Sequence, residues 1–150
     1  MPLDYKTCRK IYIYLNKVKV AKQTLEEFVL RTHEAKTLQM AQERLQILNR
    51  FQAQMLTFLM DCGDELPYYP SERCKAVVFW FTSQKLLDAS QRDAIAQKMQ
   101  LADAMMRSEA IFILANASLP KHLHQVINEH IKAVEALKKE NESTSNTIVA

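Results

Sequence analysis

The fold is decided by residues 34–62, which read EAKTLQMAQERLQILNRFQAQMLTFLMDC. Apolar side chains recur there in steps of three and four residues, at Leu38, Ala41, Leu45, Leu48, Met55, Leu59 and Cys62, with Phe51 and Phe58 widening the stripe. This spacing indicates an α-helix with one apolar face. Gly63 follows directly and supplies a C-terminal stop. The stretch therefore predicts a long amphipathic helix, from about Glu34 to Cys62, that packs along another helix.

The composition of the whole chain favours the same fold class. Among its 150 residues the chain has a single glycine. Sheet proteins use glycine at hairpin turns and bulges, where the backbone needs positive φ angles. The chain is instead rich in Ala, Leu, Lys, Gln and Glu, which are strong helix formers. We therefore expect an all-α protein.

The first helix is predicted from about Asp4 to Thr32. Its apolar positions keep helical spacing and are Cys8, Ile11, Tyr12, Leu15, Val18, Leu25 and Val29. Residues 10–20 can also be read as two short alternating strands. We favour the helix because the stripe continues beyond this stretch and Asn16-Lys17 lacks a turn glycine. The first two helices are each long enough, at about 40 Å, to form an antiparallel hairpin.

Three further helices are predicted in the second half of the chain. They run from about Ser71 to Asp88, from Ser90 to Asn116 and from Ser118 to Glu140. The apolar run at 76–81 covers every side of its helix, which predicts a largely buried third helix. Residues 110–115 are apolar all round as well. We expect a compact bundle of about five helices over residues 1–140, followed by a disordered polar tail over 141–150.

The cysteines and the N-terminal segment bear on the location of the protein. Cys8, Cys62 and Cys74 are odd in number and widely spaced, which favours buried reduced thiols in a cytoplasmic protein. The first residues form no apolar signal segment, and the longest apolar run is too short to cross a bilayer. We therefore expect a soluble cytoplasmic protein that has no membrane partner.

The sequence contains no constellation typical of a nucleotide or metal site. Phosphate-binding loops need several glycines so that backbone amides can approach the phosphate, and this chain has only Gly63. Metal ligands on one helix face are three or four residues apart. His122, His124 and His130 do not have that spacing, and we interpret the histidines as surface or boundary residues. We expect no metal and no cofactor.

Covalent catalysis has equally weak support in the sequence. Cys74 lies in the first turns of the predicted third helix, where the helix dipole lowers a thiol pKa, but no base can be assigned to it. Glu109 interrupts an apolar stripe and is either a partly buried carboxylate or an exposed edge residue. A helical enzyme or small-ligand binder with a pocket near Cys74, Trp80 and Glu109 is the third hypothesis for function. We expect no enzyme.

The surface of the first helix is the main candidate for an interaction site. Residues 1–33 contain seven Lys or Arg against three acids, a local charge of +4. One side of the predicted helix, opposite its apolar stripe, carries Lys6, Arg9, Lys10, Lys17 and Arg31 together with Ile13 and Val20. Such a mixed surface is either an ordinary solvated face with two apolar residues or a docking surface for an acidic partner. The loop residues Tyr68 and Tyr69, held between prolines, are a second interface candidate or a lid on the bundle.

These features lead to two hypotheses besides the enzyme. The first is a non-enzymatic interaction module, such as an adaptor, a chaperone-like regulator or a small subunit of a larger assembly. Its partner would be another protein or a second copy of the chain. The alternative is a sequence-independent contact with a nucleic-acid backbone, as a helical subunit of a nucleoprotein complex. The overall charge of +3 is small for a nucleic-acid binder.

Overall fold

A computed structural model describes residues 4–62 and 92–149 of the chain, and these ranges are helical apart from short connections. Four helices lie in them, and they are α1 (Tyr5–Arg31), α2 (Ala35–Cys62), α3 (Arg92–Asn116) and α4 (Lys121–Val149). The predicted all-α fold is confirmed for these ranges. The alternative of paired strands over residues 10–20 is wrong, because α1 runs through them unbroken. The predicted third helix, from Ser71 to Asp88, lies outside the described residues.

Side-chain caps fix the start of α1 and the turn into α2. The backbone N–H of Thr7 donates to Asp4 Oδ1 at 2.7 Å, which is the N-cap expected of an aspartate. This backbone hydrogen bond lowers the pKa of the Asp4 carboxyl. At the turn, the Thr37 N–H donates to the Glu34 carboxylate at 3.2 Å, and the hydroxyls of Thr32 and Thr37 are 3.0 Å apart. Local chemistry thus sets the ends of both helices.

The core lies where the four helices meet. Helix α1 packs mainly along α2, α3 packs mainly along α4, and α2 also contacts α4. Large side chains from all four helices are fully buried there, and they include Val18, Leu25, Phe28, Met55, Met99, Leu123 and Ile127. Each such side chain contributes about 1.5–3 kcal/mol through the apolar surface it removes from water. Packing of amphipathic faces therefore holds the bundle together.

The buried stripe of α2 keeps most of the predicted positions but also includes residues that we did not predict; the confirmed positions are Ala41, Leu48, Phe51, Met55 and Phe58. Thr37, Met40 and Arg44 are buried, whereas Leu38 and Leu45, which we assigned to the stripe, are only half-buried. Arg44 is directed inward because its guanidinium is paired with a carboxylate of α3. A charged residue at a core position is invisible to a search for apolar periodicity.

Two expectations about helix ends also differ from the structure. We expected residues 110–115 to be enclosed on all sides, but Phe112 remains 57% exposed, and Ile111 is exposed as well. We expected the last helix to fade near Glu140 and to be followed by a disordered tail. In the structure α4 continues to Val149. The segment beyond Glu140 contains neither glycine nor proline, so no residue in it forces the helix to end.

Cys8 is disulfide-bonded, which corrects our expectation of reduced thiols. Its side chain is buried in α1. We expected no disulfide because the number of cysteines is odd. Three cysteines nevertheless allow one bonded pair and one free thiol. The only other cysteines in the sequence are Cys62 and Cys74, and their side chains lie outside the described part of the structure.

We expect thiol counting to reveal this disulfide. The denatured, unreduced chain should take up one maleimide per molecule, because two of its three cysteines are bonded to each other. After reduction it should take up three. Mass spectrometry of the intact protein measures both numbers. Cys8→Ser is the control and should add two maleimides with or without reduction; three additions to the unreduced wild type would contradict the disulfide.

Candidate functional site

The predicted partner-binding residues of α1 have different degrees of exposure. Lys6, Arg9 and Arg31 are exposed, and Val20 is 37% exposed. Ile13 is half-buried. Part of the predicted face is therefore accessible to a partner, and part of it contacts the protein itself.

Two of the predicted lysines contact α3. Lys17 Nζ lies 2.6 Å from Glu109 Oε1. Lys10 Nζ donates to the backbone carbonyl of Asn116 at 3.0 Å and lies 5.8 Å from the centre of the Phe112 ring. The structure thus places these lysines at the contact between α1 and α3, which a helical wheel of α1 alone does not reveal. Glu109, for which we kept two interpretations, is a half-buried carboxylate in an ion pair.

These contacts define a mixed surface shared by two helices. Ile13 lies between Lys10 and Lys17 on the same side of α1, by its three- and four-residue spacing. Phe112 is exposed beside Lys10. We call this region the α1–α3 surface, and its residues are Lys6, Lys10, Ile13, Lys17, Val20 and Phe112. Sequence reasoning missed Phe112 because it lies in a run that is apolar all round.

Tyr68 and Tyr69, which we predicted to form an interface or a lid, lie outside the described residues. The pocket predicted near Cys74, Trp80 and Glu109 has only Glu109 in the described part of the chain. The second interface candidate and the enzyme hypothesis therefore stay predictions.

A buried ion pair joins α2 to α3. Arg44 Nε donates to Asp103 Oδ1 at 3.1 Å and Nη2 donates to Oδ2 at 2.6 Å, while Nη1 donates to the Met40 carbonyl at 3.1 Å. Only 4% of the Arg44 side chain and 12% of the Asp103 side chain are exposed. Burial raises the pKa of the Asp103 carboxyl, and the adjacent guanidinium offsets part of this rise. Because both carboxylate oxygens accept hydrogen bonds, the geometry is that of an ionised, bidentate pair.

A second buried polar contact joins α1 to α4. The Tyr14 hydroxyl lies 2.6 Å from His130 Nε2, and the His130 ring stacks on Phe51 with 4.0 Å between ring centres. Burial lowers the pKa of His130 to about 4 and raises the pKa of Tyr14 well above its ordinary value. Both groups are therefore neutral at pH 7. Our prediction of surface or boundary histidines is wrong for His130, because its hydrogen bond to Tyr14 and its stacking on Phe51 allow burial.

A groove between α2 and α4 passes over the same histidine. Its volume is about 410 Å³, and its lining residues are Gln46, Ile47, Arg50, Phe51, Gln54, Glu129, His130, Lys132 and Ala133. His130 Nδ1 is buried and has no hydrogen-bond partner among the described residues. Buried polar atoms in proteins are nearly always paired, so an unpaired one in a residue that lines a groove is a feature that needs an explanation.

The described ranges contain no cluster of three His, Cys, Asp or Glu side chains arranged to hold a metal ion. None of the helices described has an apolar stretch of the length that a bilayer requires. Comparison with models of protein families, with curated proteins and with solved structures finds no match for this chain.

Proposed function

We propose that the chain is a non-enzymatic helical interaction module that binds another protein through the α1–α3 surface. The observation that supports this most is the exposed Phe112 ring with the Lys10 ammonium above it. Aromatic side chains are enriched at protein interfaces and often dominate their binding energy. An adaptor, a chaperone-like regulator and a small subunit of an assembly all fit this role.

The expected partner has an acidic surface with apolar side chains at its centre. Lys6 is exposed on α1, and the Lys10 ammonium contacts the Asn116 carbonyl and the Phe112 ring. Complementary charge steers association and fixes orientation, whereas apolar contacts supply most of the affinity. Lys17 contributes less charge to a partner because Glu109 already neutralises it.

A protein partner is favoured over a nucleic-acid backbone on the α1–α3 surface. Each phosphate contact needs a cation that is available to it. Lys17 is committed to Glu109, and an exposed phenylalanine occupies the space beside Lys10. Nucleic-acid binding and self-association are therefore the competing outcomes of the test.

We also propose a finer architecture than the four described helices. A fifth, largely buried helix over residues 71–88 completes the bundle in this proposal, and α1 and α2 form an antiparallel hairpin. The Thr32–Thr37 contact at their turn and the packing of Tyr14 against Phe51 farther along support that hairpin. The disulfide at Cys8 argues against the cytoplasmic location that we predicted, because disulfides persist in oxidising compartments.

The test is affinity purification from native lysate with charge and contact variants of the full chain. Phe112→Ser and Lys6→Glu each change an exposed side chain, so neither should unfold the protein. We expect each to reduce recovery of the same acidic partner by at least about tenfold, which corresponds to 1.4 kcal/mol. Quantitative mass spectrometry of the eluates measures the recovery.

Lys121→Glu is the matched control, because it reverses an exposed lysine at the start of α4. It should leave recovery unchanged. Equal recovery with all three variants would reject the α1–α3 surface as the docking site. Electrophoretic shift of single- or double-stranded nucleic acid that weakens with salt and with Lys6→Glu would favour the nucleic-acid alternative. A dimer in light scattering that Phe112→Ser dissociates would favour self-association.

A further inference from the structure

The groove between α2 and α4 combines an apolar floor with charged edges. Ile47 and Ala133 are half-buried and contribute apolar surface, and Arg50 and Lys132 are exposed cations that line the same groove. Glu129 is the one acid among the lining residues, so the lining carries a net positive charge. A volume of about 410 Å³ lies within the range of small-molecule sites. The groove is formed by other helices than the α1–α3 surface.

The hydrogen bond of Tyr14 determines which nitrogen of His130 carries the proton. The phenol either donates to His130 Nε2 at 2.6 Å, or accepts from an Nε2–H and donates to the Met106 carbonyl at 3.5 Å. We adopt the first arrangement in our proposal, because a contact of 3.5 Å is a weak hydrogen bond. With Nε2 as the acceptor, the neutral imidazole carries its hydrogen on Nδ1. His130 Nδ1 is then a buried donor with no acceptor in the described part of the protein.

We propose that this groove binds a small monocarboxylate with an apolar body, whose carboxylate accepts the His130 Nδ1–H. The unpaired donor calls for an acceptor, and the net positive lining favours an anionic one over a neutral one. Ile47 and Ala133 cover the apolar body. Gln46 and Gln54 provide amide donors at the edge of the groove. The occupant is thus a single acceptor group attached to an apolar ring or chain.

Nuclear magnetic resonance of the full chain, titrated with sodium benzoate, tests the site. Long-range ¹H–¹⁵N correlation should first show that His130 carries its hydrogen on Nδ1. Benzoate should then shift the His130 ring signals in a saturable manner. Benzyl alcohol, which has the same ring and no charge, should bind at least about tenfold more weakly because it lacks the charge-assisted hydrogen bond.

Variants separate the binding site from the stability of the fold. Arg50→Gln changes an exposed residue and should weaken benzoate binding several-fold without unfolding the protein. His130→Phe keeps an aromatic ring against Phe51 and should abolish the saturable response, now followed at the Ala133 amide. His124→Gln is the matched control, because His124 is an exposed histidine of the same helix, and it should bind as the wild type does.

Several outcomes would overturn the proposal. A hydrogen on Nε2, the absence of a saturable shift at His130, or equal binding of benzyl alcohol would each do so. Unchanged benzoate affinity in Arg50→Gln would mean that the cationic edge does not recognise the carboxylate. A long-lived water at Nδ1 that benzoate does not displace would assign the unpaired donor to solvent alone.

Discussion

Asp103→Ala is expected to lower the free energy of unfolding by about 3–5 kcal/mol. The substitution removes the carboxylate that pairs with Arg44 and leaves a guanidinium in a site where 4% of its side chain is exposed. The remaining hydrogen bond, from Nη1 to the Met40 carbonyl, cannot balance a buried positive charge. Urea unfolding followed by circular dichroism measures the loss as a lower midpoint.

The exposed pair of Arg107 and Glu135 is a matched control. Its N–O distance is 2.7 Å, but its side chains are 46% and 41% exposed. Glu135→Ala should therefore cost less than about 1 kcal/mol. Replacing Arg44 by Met and Asp103 by Leu together should recover most of the loss, because the double change buries no charge. A loss for Asp103→Ala as small as that for Glu135→Ala would contradict a buried ion pair.

Acidification is expected to destabilise the protein between pH 6.5 and 4 through His130. Burial holds the pKa of His130 at about 4 in the folded chain, against an ordinary value of 6.5. The unfolded chain binds a proton over this interval and the folded chain does not, so the stabilisation is complete above pH 6.5 and is lost as the pH falls towards 4. At about 1.4 kcal/mol per pKa unit, the total loss is about 3 kcal/mol.

Other ionisable groups lie near His130 or also change their pKa on folding, so the contribution of His130 to the pH dependence of stability must be separated from theirs. Arg50, Lys132 and Glu129 line the groove with His130, but burial is what lowers the pKa of His130, and Tyr14 stays neutral. The raised pKa of Asp103 acts in the opposite direction, because a folded carboxyl with a raised pKa takes up its proton more readily than the unfolded one.

His130→Phe should flatten the dependence of unfolding free energy on pH by about 3 kcal/mol over this interval. His124→Gln, which changes an exposed histidine of α4, should keep the wild-type dependence. Chemical denaturation at a series of pH values provides the curves. Parallel curves for wild type and His130→Phe would show that His130 does not remain neutral in the folded state.

The fold class and most of the buried apolar positions were predictable from the sequence, but the buried charge on α2 was not. The absence of turn glycines and the three- and four-residue spacing determine that the described segments are helical. Arg44 belongs to the buried face of α2, because it continues the three- and four-residue spacing of Ala41, Leu48 and Phe51. A rule that admits only apolar residues to the stripe misses such a position, and it includes the neighbouring Leu45, which is only half-buried.

The candidate sites were predictable only in part, for a related reason. His130 follows Val126 and Ile127 at core spacing, but no feature of the sequence places Tyr14 within hydrogen-bond distance of it. Likewise, Lys10 and Lys17 were identified as basic residues of α1, whereas their partners on α3 depend on how the two helices pack. A single sequence gives the faces of each helix; pairing of polar groups between helices requires coordinates. Opposite charges at core positions, as at Arg44 and Asp103, are the one signal that was present and overlooked.

The buried polar contacts have a consequence for the order of events during synthesis. Arg44 lies 59 residues before Asp103, and Tyr14 lies 116 residues before His130. At about 5–20 residues per second, the ribosome needs on the order of 3–12 s to add the residues between Arg44 and Asp103. During that time the Arg44 guanidinium of the nascent α2 stays hydrated, because Asp103 has not yet been synthesised. The burial of Arg44 therefore waits until α3 has been translated.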